Sequence, residues 1–169
     1  MTADPAQSLR DPMTNPFPPE DTARHAIWEM LVPRDIDAFL AADWSMIEDD
    51  FIVQNFVGMN GGFDADPQNW HLSFATLDAY RDEWLRQARD NGATDYAEDP
   101  RAAIFAATRL DEIEITGAAA LVRKKFDGRI RRKDGGEDRM LWQTLYWCRQ
   151  TEAGWKIAGF VGYLPYGGK

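Results

Sequence analysis

Few side chains in this chain are of the types that transfer protons in enzymes. Its two histidines, His25 and His71, are candidates for a general base, because imidazole exchanges protons near neutral pH. His25 falls in a predicted helix and His71 in a predicted loop beside Trp70, where histidines ordinarily have no catalytic role. Both stay as candidate bases, and a partly exposed position without chemistry is the alternative for each.

Other reactive residues form weaker patterns. The acidic run Glu48 to Asp50 could cluster carboxylates, but acids between a helix and a strand are ordinarily solvated. Cys148 follows Trp147 in a predicted strand, which favours a small buried residue over a nucleophile. Because the histidines lack the spacing of a zinc site and the acids are scattered, the sequence predicts neither a metal nor a cofactor.

Aromatic side chains give the strongest signal for a binding site. The chain has seven Trp, nine Phe and five Tyr residues, and a cavity lined by rings with a few polar groups suits a small, mainly apolar or aromatic ligand. We expect its polar groups to be Asn55, Thr144 and Tyr146. The rings expected to face the cavity are Trp28, Trp44, Tyr80, Trp84, Trp142 and Tyr146. The alternative is that these rings simply fill the core.

Composition argues against several classes of partner. The formal net charge of -9 would repel a phosphate backbone over most of the surface, so we expect no nucleic acid partner. The basic run Arg123 to Lys133 brackets a predicted hairpin and is expected to be solvated. With a single cysteine, no export leader and no apolar run long enough for a bilayer, the chain is expected in the cytoplasm, away from membranes.

The N-terminal half is predicted to be helical. Residues 1–20 contain five prolines and few large apolar residues, so we expect a flexible arm before a single domain over residues 21–169. Asp35 is expected to cap the second helix, and Thr76 the third. The three predicted helices are "ARHAIWEML", which stops before Pro33, "RDIDAFLAADWSMIEDDF" and "TLDAYRDEWLRQARDNG".

The C-terminal half is predicted to be an antiparallel sheet. "FIVQNFVG" (Phe51 to Gly58) has the apolar, β-branched composition of a strand, and from about Ala103 apolar residues alternate with a period of two. Four strands joined by turns follow, so the sequence predicts an α+β fold with the helices on one side of the sheet. The last strand, "GWKIAGFVGYL", is apolar on both faces, which requires cover on both sides.

The outer face of this sheet is predicted to be an interface. Its apolar patch is too large for a soluble monomer to leave in contact with water, so we expect a homodimer across the sheet. The residues assigned to the patch are Leu141, Leu145, Trp147, Trp155, Ile157 and Val161.

These segments resemble the nuclear transport factor 2-like superfamily, which includes ketosteroid isomerase, scytalone dehydratase and SnoaL-like polyketide cyclases. The resemblance covers about residues 23–164 and is carried by "RDIDAFL", "IEDDFIVQNFVG", "LDEIEITGAAALV" and "YWCRQTEAGWKIAGF". It implies a cone-shaped curved sheet wrapped around the N-terminal helices, the cystatin-like α+β barrel. It does not imply one function, because this fold carries enzymes, binding modules and assembly domains.

The resemblance also implies where a site would lie. Asn55 matches the catalytic carboxylate of the isomerases, Tyr146 matches their oxyanion donor, and Phe160 is expected to line the pocket. A neutral amide cannot act as the base, so the isomerase mechanism is not supported. The resemblance therefore implies a small-molecule-binding SnoaL-like protein. The alternative is an isomerase, cyclase or dehydratase with His25 or His71 as base and Tyr146 as donor.

Overall fold

A layer of helices packs against one face of a curved sheet. The computed structural model describes residues 10–168. Its α-helices are α1 (Thr22–Glu29), α2 (Asp35–Ala41), α3 (Leu77–Ala93) and α4 (Pro100–Ala107). Its strands are β1 (Val57–Asn60), β2 (His71–Phe74), β3 (Thr108–Thr116), β4 (Ala119–Arg131), β5 (Glu137–Thr151) and β6 (Gly154–Leu164).

The sheet confirms the predicted α+β architecture. Its strand order is β2-β1-β6-β5-β4-β3, so strands β3 to β6 form the predicted antiparallel meander. Strand β1 joins the free edge of β6 in parallel, and β2 pairs with β1 as the edge strand. The sheet curves but does not close, because β2 and β3 remain its two edges. We call the face that packs against the helices the inner face.

The first two helices are continuous rather than separated. The sequence predicts an end before Pro33, but a π-helical turn over Met30–Arg34 carries the chain through this proline into α2. A π-turn is a frequent mark of a functional site. The second predicted helix ends early, at Ala41, because Ala42 adopts a left-handed conformation with φ of 50°. Two short 3₁₀ turns, Trp44–Met46 and Glu48–Asp50, replace its second half.

Helix α4 was not predicted. The sequence places a strand from about Ala103, but the side chain of Asp99 caps a helix with Pro100 in its first turn, and β3 begins only at Thr108. The helix packs closely on β4 at Gly128. A Cβ atom on Gly128 would lie 2.5 Å from the Cβ of Ala107.

The predicted strand over Phe51 to Gly58 is wrong in its first part. Phe51 makes only an isolated bridge to Ile157, and regular pairing begins at Val57. Between them the chain turns at Asn55, which is exposed and has a left-handed φ of 62°. A left-handed residue cannot continue an extended strand, and Asn tolerates this conformation better than most residues.

A bulge explains why β6 is apolar on both faces. Between Ile157 and Gly159, β6 contains one residue more than the facing part of β5. Such a bulge reverses the alternation of inner and outer side chains. Ile157 therefore pairs with Cys148 on the buried inner face, and Trp155 also packs against the core. The prediction that Trp155 and Ile157 lie on the outer face is wrong.

Part of the predicted flexible arm is bound to the domain. The Asn15 amide donates to the backbone oxygen of His25 and to the Glu29 carboxylate. Phe17 packs against the core, and its backbone oxygen lies 2.9 Å from His25 Nδ1. The arm prediction for residues 1–9 lies outside the described residues.

Two glycine substitutions test the contact between α4 and β4. Gly128→Ala should lower the free energy of unfolding by about 1–3 kcal/mol, because its methyl group would overlap Ala107. Gly92→Ala is the matched control in helix α3, where nothing lies within 4 Å, and should raise that free energy by about 0.5–1 kcal/mol. Urea unfolding of both variants measures the difference. Equal effects would contradict the close approach.

Candidate functional site

A small polar cavity lies between the helices and the inner face of the sheet. Its volume is about 10 Å³, which is at the lower limit for one water molecule. Four polar residues meet there, and the remaining wall is apolar. The polar residues are Asp35, Asp50, Tyr80 and Tyr146, and the apolar ones are Met30, Leu31, Ile47, Phe51 and Ile157.

Irregular backbone brings the two carboxylates to the cavity. The π-turn supplies Met30 and Leu31 and ends directly before Asp35, the first residue of α2. The second 3₁₀ turn ends at Asp50. Regular elements supply the phenols instead. Tyr80 lies in the first turn of α3, which Thr76 caps as predicted, and Tyr146 lies on the inner face of β5 opposite Val122.

The hydroxyl groups of Tyr80 and Tyr146 have no hydrogen-bond partner among residues 10–168. Among the described residues, every fully buried polar side-chain atom has a hydrogen-bond partner. The two hydroxyl oxygens have none, so each of them must still be in contact with space that water can reach. Burial raises the pKa of both phenols well above the usual range, and the nearby Asp35 raises it further. Both tyrosines therefore remain protonated and available as hydrogen-bond donors.

An ion pair with a buried lysine holds the partly buried Asp35 in place. The Lys124 side chain is 1% exposed, and its Nζ donates to Asp35 Oδ2 at 2.8 Å and to the backbone oxygen of Leu31 at 2.5 Å. Lys124 belongs to the basic run that was expected to be solvated, and for this residue the prediction is wrong. Its position on the inner face of β4 accounts for the difference. An unpaired ammonium group would be costly there.

A second ion pair closes the rim. The Arg34 guanidinium donates two parallel hydrogen bonds to Asp50, each 2.7 Å long. Arg34 is 43% exposed and Asp50 only 14%, so the pair lies where the cavity meets solvent. Burial raises the pKa of Asp50, although Arg34 opposes this effect. The expectation of a solvated acidic run holds for Glu48 and Asp49, which are exposed, but is wrong for Asp50.

Aromatic rings fill most of the space around the cavity. Tyr80 is at the centre of this packing, with the Phe160 ring centre at 4.7 Å and the Trp44 ring centre at 6.0 Å. Trp84 packs edge-on against Trp44, and Trp28 is buried in α1. Rings therefore occupy the volume that the sequence assigns to a ligand.

Solved structures share this arrangement of helices and sheet. One is a nuclear transport factor 2-like superfamily protein from Salmonella enterica serovar Typhimurium, with a TM-score of 0.56 and 14% identity over 86% of this chain and 93% of that chain. Another is a domain of unknown function with a cystatin-like fold from Nostoc punctiforme, with a TM-score of 0.56 and 14% identity over 84% of this chain and 76% of that chain. The chain has the nuclear transport factor 2-like fold.

A third structure with this nuclear transport factor 2-like fold comes from Novosphingobium aromaticivorans and is provisionally assigned as an aromatic ring hydroxylase. Its TM-score is 0.52, and its identity is 19% over 86% of this chain and 90% of that chain. No family model and no curated protein matches the sequence. At such identities the likeness establishes the fold alone, and any activity has to be argued from the residues of the site.

The nuclear transport factor 2-like cone does not bring the predicted histidines to Tyr146. His25 contacts residues 15–17 from α1, with its Nε2 3.8 Å from Glu29, and His71 is exposed on the edge strand β2. The predicted acid–base pair is therefore not assembled. Asn55 is exposed on its turn, so its prediction as a buried polar end of the pocket is wrong.

The remaining predicted ligand residues lie elsewhere on the inner face. Thr144 is buried opposite Lys124, and Trp142 packs on Phe126 at 4.8 Å and on Tyr163 at 5.5 Å. Of the predicted site residues, Tyr80 and Tyr146 line the polar cavity.

Sequence reasoning missed Asp35, Asp50 and Lys124. One available signal was the alternation in β4, since Lys124 shares the parity of the apolar residues Ala120 and Val122, which are buried. Two further features hold for the part of the chain that the structure describes. It contains no cluster of metal-ligating side chains and no helix long and apolar enough to cross a membrane.

Tyr→Phe variants test whether the hydroxyl groups of Tyr80 and Tyr146 contribute to the stability of the fold. Tyr80→Phe and Tyr146→Phe should change the free energy of unfolding by less than about 0.5 kcal/mol, because neither hydroxyl is hydrogen-bonded to the protein. Tyr96→Phe is the control and should cost about 1 kcal/mol, because its hydroxyl donates to Asp138 at 2.8 Å and accepts from Asn91 at 2.9 Å. Chemical unfolding of the three variants measures this. Equal losses would make the cavity phenols structural.

Proposed function

We propose that this chain binds a small, mainly apolar or aromatic molecule whose oxygen atoms accept hydrogen bonds from Tyr80 and Tyr146. The observation that carries the proposal is that two phenol hydroxyls without protein partners share one cavity with two carboxylates. Both hydroxyls touch space that water can reach and contact no protein acceptor or donor within the described part of the chain, so both are free to donate to a bound molecule. A ligand or a water molecule supplies the missing partners.

A ligand larger than water needs more room than the cavity offers, which is about 10 Å³. The segment around Trp44 is the element whose displacement would open it. The Trp44 ring stacks on Phe51 at 5.1 Å and is only partly buried. Its backbone is a single 3₁₀ turn that follows the left-handed Ala42, and its own closing bonds run from the Met46 and Ile47 amides to the backbone oxygens of Asp43 and Trp44.

Binding is favoured over the histidine-dependent enzyme. Catalysis by a histidine requires the base within hydrogen-bond reach of the substrate. His25 is held by the N-terminal segment, and His71 lies on the sheet edge, so neither residue faces Tyr146. A third candidate, a domain used only for assembly, is favoured by the rings that fill the cone.

A thermal-shift screen of aromatic alcohols and ketones tests the binding proposal. A ligand that binds only the folded state stabilises it by about 2.7 kcal/mol at 100 times its dissociation constant, which raises the melting temperature. Tyr146→Phe should weaken the response about 5-fold to 10-fold in apparent affinity, because one hydrogen bond is lost. The control Tyr166→Phe, outside the cavity, should respond like the wild type. If no compound shifts the wild type, the proposal fails and assembly remains.

We also propose a homodimer through the outer face of the sheet. Cross-strand pairing aligns an apolar row across four strands, formed by Leu72, Met59, Val161 and Leu145. Leu72 is 59% exposed, and Leu121 in the adjoining row is 50% exposed. At the end of the row, Arg123 on β4 is ion-paired with Glu112 on β3. A second copy related by a two-fold axis can therefore match apolar with apolar along the row.

The variant Leu145→Lys tests this interface, because an unpaired ammonium group in the row would oppose association. We expect a wild-type dimer and a monomeric variant in sedimentation at micromolar concentration. Thr116→Lys, an exposed position at the end of β3, is the control and should stay dimeric. A wild-type monomer would overturn the proposal. Trp155 is unsuitable for this test because it packs against the core.

A further inference from the structure

The cavity contains charged groups, yet every charge is already paired. The Asp35 carboxylate is neutralised by Lys124, and the Asp50 carboxylate by the two-point contact with Arg34. What remains without a partner among residues 10–168 is the pair of phenol hydroxyls. The cavity thus presents hydrogen bonds without a net charge.

We infer that this site selects uncharged aromatic ligands bearing a hydroxyl or carbonyl oxygen, and that the Lys124–Asp35 pair enforces the selection. The inference rests on the proposed binding function and adds the chemical class of the ligand. A ligand oxygen accepts from Tyr80 and Tyr146, and a ligand hydroxyl can donate to the remaining lone pairs of either carboxylate.

A charged ligand is disfavoured by what it would have to displace. An organic cation could pair with Asp35 only by competing with the ammonium group of Lys124, which is 1% exposed and cannot return to water. An organic anion would have to compete with Asp50 for Arg34 while approaching the charge of Asp35. In either case one buried charge loses its partner, which is strongly unfavourable.

Lys124 is well placed to set this preference. Its neighbours of the same parity on β4, Val122 and Phe126, are apolar, and its ammonium group lies 5.2 Å from the centre of the Phe126 ring. An apolar residue at this position would pack without the free-energy cost of burying an ion. The presence of a lysine here therefore indicates a role for its charge. Its role is to position and neutralise Asp35, and the ligand contacts belong to the phenols.

The experiment uses three probes of nearly equal size that differ in charge at pH 7. These are benzyl alcohol, which is neutral, benzylamine, which is cationic, and benzoate, which is anionic. Calorimetric titration of the wild-type protein should show benzyl alcohol binding at least about 10-fold more tightly than either ion, the factor that 1.4 kcal/mol produces. Equal or tighter binding of an ion overturns the inference while leaving the binding function intact. No binding of any probe overturns both.

Two opposite variants test the role of the pair. Lys124→Met leaves the Asp35 charge unpaired, so benzylamine should gain at least about 10-fold relative to benzyl alcohol. Asp35→Asn leaves the Lys124 charge unpaired, so benzoate should gain instead. The double variant, which removes both charges, should restore the preference for benzyl alcohol and serves if either single variant fails to fold.

The matched control is Lys125→Met, which removes a lysine from the opposite face of the same strand, where it pairs with Glu112. It should keep the wild-type order of the three probes. An unchanged order in Lys124→Met and Asp35→Asn would overturn the role of the pair. An order changed equally by Lys125→Met would also overturn it, because net charge alone would then explain the effect.

Discussion

The ion pair between Lys124 and Asp35 ties the centre of the sheet to the helical layer. The Lys124 ammonium group is 1% exposed, and it donates its second hydrogen bond to the carbonyl oxygen of Leu31. That oxygen belongs to the π-turn, so one buried lysine satisfies a backbone group and a side chain from two successive helical segments. If the lysine were absent, the Asp35 carboxylate, which is 29% exposed, would lose its ionic partner and keep only its contact with solvent.

Alternation of apolar residues was sufficient to predict the antiparallel meander, but not the edge strand β2 or the start of β1. Strands β3 to β6 and the first turn of α3 with Tyr80 follow from local periodicity, which backbone geometry imposes directly. The fold class was accessible for the same reason. The inner position of Tyr146 was implied by the family resemblance instead. Helix α4 could also have been found, because Asp99 and Pro100 form a helix start that the apolar pattern after Ala103 concealed.

The remaining differences come from interactions that a local pattern does not contain. The bulge at Ala158 is defined by the pairing partner on β5. The left-handed conformation of residue 42 occurs at an alanine, so no glycine or asparagine marks it in the sequence. The charged part of the site is of the same kind. Lys124 looks like one member of a solvated run until its ion pair with Asp35, 89 positions away in the chain, is known. Whether a polar side chain lies in the core depends on its hydrogen-bond or ionic partners, and these partners are distant in the sequence.

The bulge in β6 also determines which changes of length this protein can accept. Trp155 and Ile157 share the inner face with Phe160 because Ala158 is an extra residue between the two parts of the strand. Deleting Ala158 would leave Ile157 opposite Cys148 and Gly159 opposite Trp147, so Trp155 and Ile157 would still face the core. The Ile157 side of the cavity would be kept as well. Homologous chains that keep this cavity can therefore lack the extra residue, provided that inner and outer side chains then alternate regularly through this part of the strand.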